Sequence, residues 1–492
     1  MGRWILAPSI IILISATTVL SGNRIRDSIR FSSFRYVTSI AADLETIYFG
    51  TTDGIVRFSR IYNRWLDPLP ERDGLPSNYI IKLAYDPQFD ELWVQTRNGP
   101  AKYNLTFAEW YAESEFPDSL AQNDWKSTLF PSLFTPFRLS YQSGVIQDQF
   151  FRTFPITSGI RDGQNDLMYI GTWGLGPGMI NTRYRNLVLM PFGPYNSAVS
   201  KVIEVGRYLW MGTPTIPSGG ALTRFDRRTG EWKYYEQTVM AELMSVELLA
   251  AVEAGGYTWI ATRNGLLRKD IDDRMRLYTT FQGLPSDEVL SLAIYNGHVY
   301  IGTAEGLGIL PADGELSDSG SATLLPVEYR FGGQRINDLS VFAGKLLIAT
   351  NSAVYRLSDH PLKIEQLDTP AGDLAAGATD IFSGGGKLYF AVDFGVVVVD
   401  SLSETSFVAS DFSLPHRRDI RQVYAADSTI WCATASGLWR YNINDKTSML
   451  WTKADGLPGS SLNSIIADGE YFWIGCDRGL LKLKRNELES GN

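Results

Sequence analysis

Ten times along its 492 residues the chain returns to one pattern. DIRQVYAADSTIWCATASGLWRYN around Trp431 matches SLNSIIADGEYFWIGCDRGLLKLK around Trp473. It also matches EVLSLAIYNGHVYIGTAEGLGIL after residue 287 and RYVTSIAADLETIYFGTTDGIVRFS near the start. Each copy reads as an alternating strand, a polar turn, an aromatic-Ile-Gly-Thr strand, a turn with Gly, and a third alternating strand. A looser fourth strand follows, as in MLWTKADGLP. The second strands centre on Phe49, Val94, Ile170, Met211, Ile260, Ile301, Ile348, Phe390, Cys432 and Ile474. The intervals are 41–49 residues, with one of 76.

A period of that length with four short strands is the sequence signature of a β-propeller blade. A single four-stranded sheet cannot bury both faces alone, but sheets packed side by side bury them on each other. The expected fold is therefore all-β, with about ten four-stranded blades. The simplest arrangement is one ring; two five-bladed rings are the alternative. The last copy ends at Leu483 with three strands, and Phe31 matches Trp451 in register, so residues 28–36 are expected to close the last blade. The Gly of each hairpin (Gly54, Gly99, Gly265, Gly306, Gly437, Gly479) suits a positive φ. The preceding Thr suits a bond across that turn. The recurrent Trp or Tyr of the second strand reads as packing between blades.

Residues 1–22 carry a basic start, an apolar run from Trp4 to Leu20 and small residues around Ser21. This is the pattern of a signal peptide, or of an uncleaved signal anchor. Residues 23–484 are the repeats and 485–492 a tail. The body is expected to be exported, periplasmic or extracellular, and to meet a membrane only through the N-terminus.

The segment DGLPSNYIIKLAYDPQFDELWVQTRNG and its copies resemble the two-component regulator propeller repeat family. The GLPS turns at 74–77 and 283–286, with GLPG at 456–459, are the most specific part of the likeness. The resemblance implies a propeller of the kind found in periplasmic sensor halves of hybrid two-component systems. This chain departs from that pattern: it shows no second apolar span, histidine kinase or regulator domain.

Charge and chemistry narrow the function. Lys and Arg number 45 against 54 Asp and Glu, for a net charge of −9, which argues against nucleic-acid binding. Two Cys do not make a disulfide scaffold or a Cys-based zinc site. His298, His360 and His416 fall in different copies and loop types, so no shared His site is expected. HExxH, GxSxG, CxxC and EF-hand patterns are missing. GLGPG at 174–178 and GGGK at 384–387 lack the helix or Ser/Thr of a phosphate loop. No catalytic residue, metal or cofactor is assigned. The function expected is a binding or interaction module, for ligand sensing or as an assembly scaffold, with an unknown protein or carbohydrate as partner. A polysaccharide-active hydrolase or lyase is the alternative, and two carboxylates at a propeller's centre would favour it.

Sequence freedom concentrates in the turns and in an aromatic, acidic insert at about 112–150. That insert reads as a cap packed on a blade edge, as a degenerate blade, or as a lid for a ligand or partner. The hairpins between second and third strands and the GLPS linkers should open on one face, where propeller loops carry ligands. The candidate binding residues there are Trp173, Arg97, Asn98, Arg263, Asn264, Arg335, Asp393 and Arg478. Arg forks among them would suit carboxylates of a sugar acid or peptide.

Overall fold

The computed structural model describes residues 19–489, less 22–24, 26–27, 72–73, 122–124, 137, 163–164, 215–218, 314–330, 332, 360–361, 368–374, 394, 401–405 and 410–419. Most of the leader expected at 1–22 lies outside the described residues, as do His360 and His416. Val19–Ser21 form a short strand parallel to Thr447–Trp451. Among the described residues no helix is long and apolar enough to cross a membrane.

Among the described residues the strands are grouped into ten sheets, one for each sequence repeat, and most have four antiparallel strands. The chain divides into two compact units. One holds residues 198–222 and 235–489 of the described chain; the other holds 28–197 and 223–234. Ser28–Phe31, in the segment expected to close the last blade, is a strand grouped with the second unit.

In the first unit the inner strands of seven sheets follow one another, the fourth to the tenth in chain order. They are Lys201–Val205, Leu248–Ala254, Val289–Tyr295, Ile336–Phe342, Asp380–Gly384, Ile420–Ala426 and Leu462–Asp468. Each lies beside the next. The hydrophobic clusters repeat this logic, because each spans two consecutive sheets. Trp259, Leu266 and Tyr278 of the fifth sheet, for example, pack on Leu292, Val299 and Ile301 of the sixth. The last inner strand, Leu462–Asp468, lies beside the first, Lys201–Val205, so the neighbours form a cycle of seven.

That closure uses the same bond as the other junctions. Asp338 Oδ2 accepts the Ile381 N–H at 2.7 Å, Asp380 Oδ2 the Val423 N–H at 2.9 Å, and Gln422 Oε1 the Ile465 N–H at 3.0 Å. Each is a side chain on one inner strand latching the backbone of the next. Ser464 Oγ accepts the Val202 N–H at 2.9 Å in the same way, from the tenth sheet to the fourth. Asn463 Nδ2 donates to the Val199 carbonyl, and Val199 N–H donates to the Cys476 carbonyl. The single ring of ten and the two rings of five are both corrected by this cycle. Spacing counts blades, but it does not say which inner strand the last one meets.

The second unit holds the first three sheets and residues 223–234. The inner strand of the first, Val37–Ala42, lies between Ile80–Asp86 of the second and Thr153–Asp162 of the third. Ser39 Oγ accepts the Leu83 N–H at 2.9 Å, the same latch again. The insert extends the third sheet. Leu139–Gln142 and Val145–Asp148 form a hairpin on the first half of Thr153–Asp162. Trp125, Leu129, Phe130, Leu133 and Tyr141 pack on the core of that sheet around Ile146, Met168 and Ile170. These side chains give the insert a packing role on its own blade.

Candidate functional site

The hairpins between second and third strands are built by one local device. Thr262 Oγ1 donates to the Gly265 carbonyl at 2.9 Å and accepts the Asn264 N–H at 3.2 Å. Thr51, Thr96, Thr303 and Thr434 do the same with Gly54, Gly99, Gly306 and Gly437. These glycines hold φ between 122° and 146°, which a side chain rarely adopts. With Thr and Gly spent on the turn, the two residues between them are left at the tip. This is how Arg97 with Asn98, and Arg263 with Asn264, come to the surface.

In the seven-sheet unit three linkers meet at Arg263. Its Nε lies 2.8 Å from Glu247 and its Nη1 2.5 Å from Glu288. Arg335 approaches the same Glu288 at 3.2 Å. Arg263 and Arg335 are thus brought together, through a carboxylate that sequence reasoning did not single out. All four side chains remain partly exposed, so solvent screening keeps their pairing energy small. Asn264, Asp393 and Arg478 are exposed at the tips of the fifth, eighth and tenth sheets.

The linker into Glu288 carries a second feature. Thr280–Gln282 form a single tight turn, with Thr279 and Gln282 in a reciprocal capping box. Phe281 stands on that turn 97% exposed. The matching turn before the last sheet, Lys453–Asp455, has the same capping box with Thr452 and Asp455. There Ala454 takes the place of Phe281. The fold therefore does not need an aromatic ring at this position.

In the three-sheet unit Arg97 stacks over the Tyr79 ring at 4.1 Å, and Asn98 Nδ2 donates to the Pro76 carbonyl at 3.2 Å. Trp173 is 40% exposed and meets the Tyr36 ring edge-on at 5.2 Å. A buried ion cluster lies in the same unit. Arg30 pairs with Asp53 at 2.8 Å and with Glu71. Asn78 donates to Glu71, and Ser32 to Asp53. Burial raises the Glu71 carboxyl, and Arg30 only partly offsets it. Burial alone would lower Arg30, but Glu71 and Asp53 hold it firmly charged. Arg30 precedes the first repeat, so no pattern in the sequence pointed to it.

The ring's inner strands also hold a carboxylate pair, Asp338 and Asp380. Burial, and then the charge of Asp380, raise Asp338; burial raises Asp380, while Lys201 acts to lower both. A central acid pair was the sign expected of glycoside chemistry. The hydrogen bonds give these two a structural role instead. Asp338 accepts the N–H groups of Leu339 and Ile381, and Asp380 that of Val423. Among the described residues no group of three or more His, Cys, Asp or Glu could hold a metal ion. Cys432 and Cys476 are buried free thiols.

No family model matches the chain, and no curated protein matches it. Solved structures do. The extracellular domain of a putative hybrid two-component system from B. thetaiotaomicron is 16% identical, with 91% of this chain and 70% of that one aligned at a TM-score of 0.49. PorZ, a surface component of the type-IX secretion system of Porphyromonas gingivalis, is 12% identical, with 94% and 74% aligned at 0.46. At these identities and scores the likeness concerns fold alone.

Proposed function

We propose that the protein is an exported binding or interaction module that makes contact through the hairpin ends of its blades. In the ring the contact residues are Arg263, Asn264, Arg335, Asp393 and Arg478; in the three-sheet unit they are Arg97, Asn98 and Trp173. The observation that carries the reading is Phe281. A fully exposed ring stands on a rigid, capped turn, and the matching turn does without it, so packing of the fold does not account for the ring. Aromatic and Arg side chains are the types that most often dominate binding energy. The partner fitted by this surface is a protein or carbohydrate offering an apolar spot beside carboxylates.

The test is capture of partners from the native envelope with the full chain as bait. Phe281→Ala should lose the retained partner, at a cost of roughly 2 kcal/mol or more. Ile271→Ala is the control, being 90% exposed in the turn at the other end of the same sheet. If both variants retain the partner as the parent does, the hairpin-end surface is not where binding occurs.

A further inference from the structure

In the seven-sheet unit the latch positions of the inner strands stand at one level, each opposite the residue that precedes the hairpin Thr or its counterpart. Lys201 holds that position on the fourth sheet, paired with Gly212, as Asp338 holds it opposite Ala349 and Asp380 opposite Ala391. A latch must accept an N–H, and an ammonium has no acceptor. Lys201 therefore cannot serve the junction as the other latches do. It is half-buried, and it makes no hydrogen bond or ion pair among the described residues. Around the cycle of seven, Asp338 is three sheets from Lys201 in one direction and Asp380 is three in the other. The cation thus stands across the axis from the acid pair, and a propeller keeps a channel on that axis.

The latches leave part of the acid side unused. Asp380 Oδ2 takes the Val423 N–H, and its Oδ1 has no partner among the described residues. Asp338 Oδ1 takes the Leu339 N–H, the one that Ser291 would latch by the rule of the other junctions. Ser291, on the inner strand beside that of Asp338, is 2% exposed, and its Oγ is left without a partner. One side of the channel mouth thus offers carboxylate and hydroxyl oxygens to an ammonium, and the other offers an ammonium to a carboxylate. We propose that the mouth of the ring channel binds a small zwitterion, an amino acid or short peptide, with its ammonium on Asp338 and Asp380 and its carboxylate on Lys201. Phe281 takes no part in this site.

The experiment is calorimetric titration of the full chain with glycine, γ-aminobutyrate and triglycine, and with ethylamine and propionate as single-charge controls. One zwitterion should bind at least about tenfold tighter than either control, and the preferred length tells an amino acid from a peptide. Lys201→Met should weaken it by about tenfold to a hundredfold, and Lys201→Arg, which keeps the charge, should restore most of the binding. Asp380→Asn keeps an acceptor for the Val423 N–H and should weaken the zwitterion and ethylamine alike. Binding should also release protons, because burial holds the acid pair above the ordinary carboxylate range and an ammonium beside it favours the ionised form. The measured heat should therefore differ between PIPES and Tris buffers, and equal heats would place the ammonium away from the pair. Equal binding of ethylamine would overturn the role of Lys201, and equal binding of propionate that of the acid pair. No zwitterion binding at millimolar concentration would overturn the site.

Discussion

Replacing Ser464 by alanine tests the seven-sheet ring at its closing junction. Val202 is fully buried, and its N–H reaches Ser464 Oγ at 2.9 Å across the junction between the tenth and fourth sheets. Ser464→Ala strands that donor away from water, which costs about 1–3 kcal/mol. Ser291 supplies the control. It holds the equivalent place on the sixth sheet and is also buried, yet its Oγ has no hydrogen-bond partner among the described residues. Ser291→Ala removes an unsatisfied group, so its effect should lie within about 0.5 kcal/mol of zero. The assay is urea unfolding of both variants followed by circular dichroism, comparing midpoints at a shared slope. The Asn463–Val199 and Val199–Cys476 bonds remain in Ser464→Ala, so the ring should weaken without opening. Equal midpoints for the two variants would refute the closure, because Val202 would then not depend on Ser464.

Two further outcomes follow from the same framework. Asp338 and Asp380 are held above the ordinary carboxylate range, so the folded chain keeps protons that the unfolded chain releases. Their contribution is fully present below the unfolded value of about 4 and is lost as pH rises through the folded values. Asp380→Asn should therefore flatten the fall in urea midpoint between pH 5 and 8, and a steeper fall would contradict the assignment. Gly437 has φ 146°, and a Cβ there would overlap the Trp451 carbonyl, whereas a Cβ at Gly99, φ 133°, meets nothing within 4 Å. Gly99→Ala should cost about 1–3 kcal/mol of strain alone; Gly437→Ala should cost clearly more, and equal thermal shifts would refute the distinction.

The ten sheets were legible because strand alternation and turn chemistry are local. Thr262, Asn264 and Gly265 settle their hairpin among themselves, so the sequence displays it. Ring size is not local. It depends on Leu462–Asp468 meeting Lys201–Val205, about 260 residues earlier in the chain, through the same latch as the other junctions, which does not mark the strand it meets. The site was legible only in part for the same reason. Arg263 and Arg335 were visible as turn and linker cations, but Glu288 became meaningful only when folding set it between them.

The latches themselves follow a rule that ties sequence to packing. Where the latch is Ser, its cross-strand partner is Gly: Ser39 with Gly50 and Ser464 with Gly475; Ser158 and Ser291 stand opposite Gly171 and Gly302 in the same register without a hydrogen bond among the described residues. A Cβ at Gly171 or Gly475 would stand 2.6 Å from the hydroxyl, closer than such atoms come. Where the latch is longer, the partner is Ala: Asp338 with Ala349, Asp380 with Ala391 and Gln422 with Ala433. The longer side chain reaches the neighbouring N–H past a methyl group, while Ser must lie close over a bare backbone. Junctions latched by Ser therefore avoid a buried carboxyl group of the kind that burial raises at Asp338 and Asp380. The ring closes through Ser464, so its closing bond, unlike the two Asp latches, is indifferent to pH.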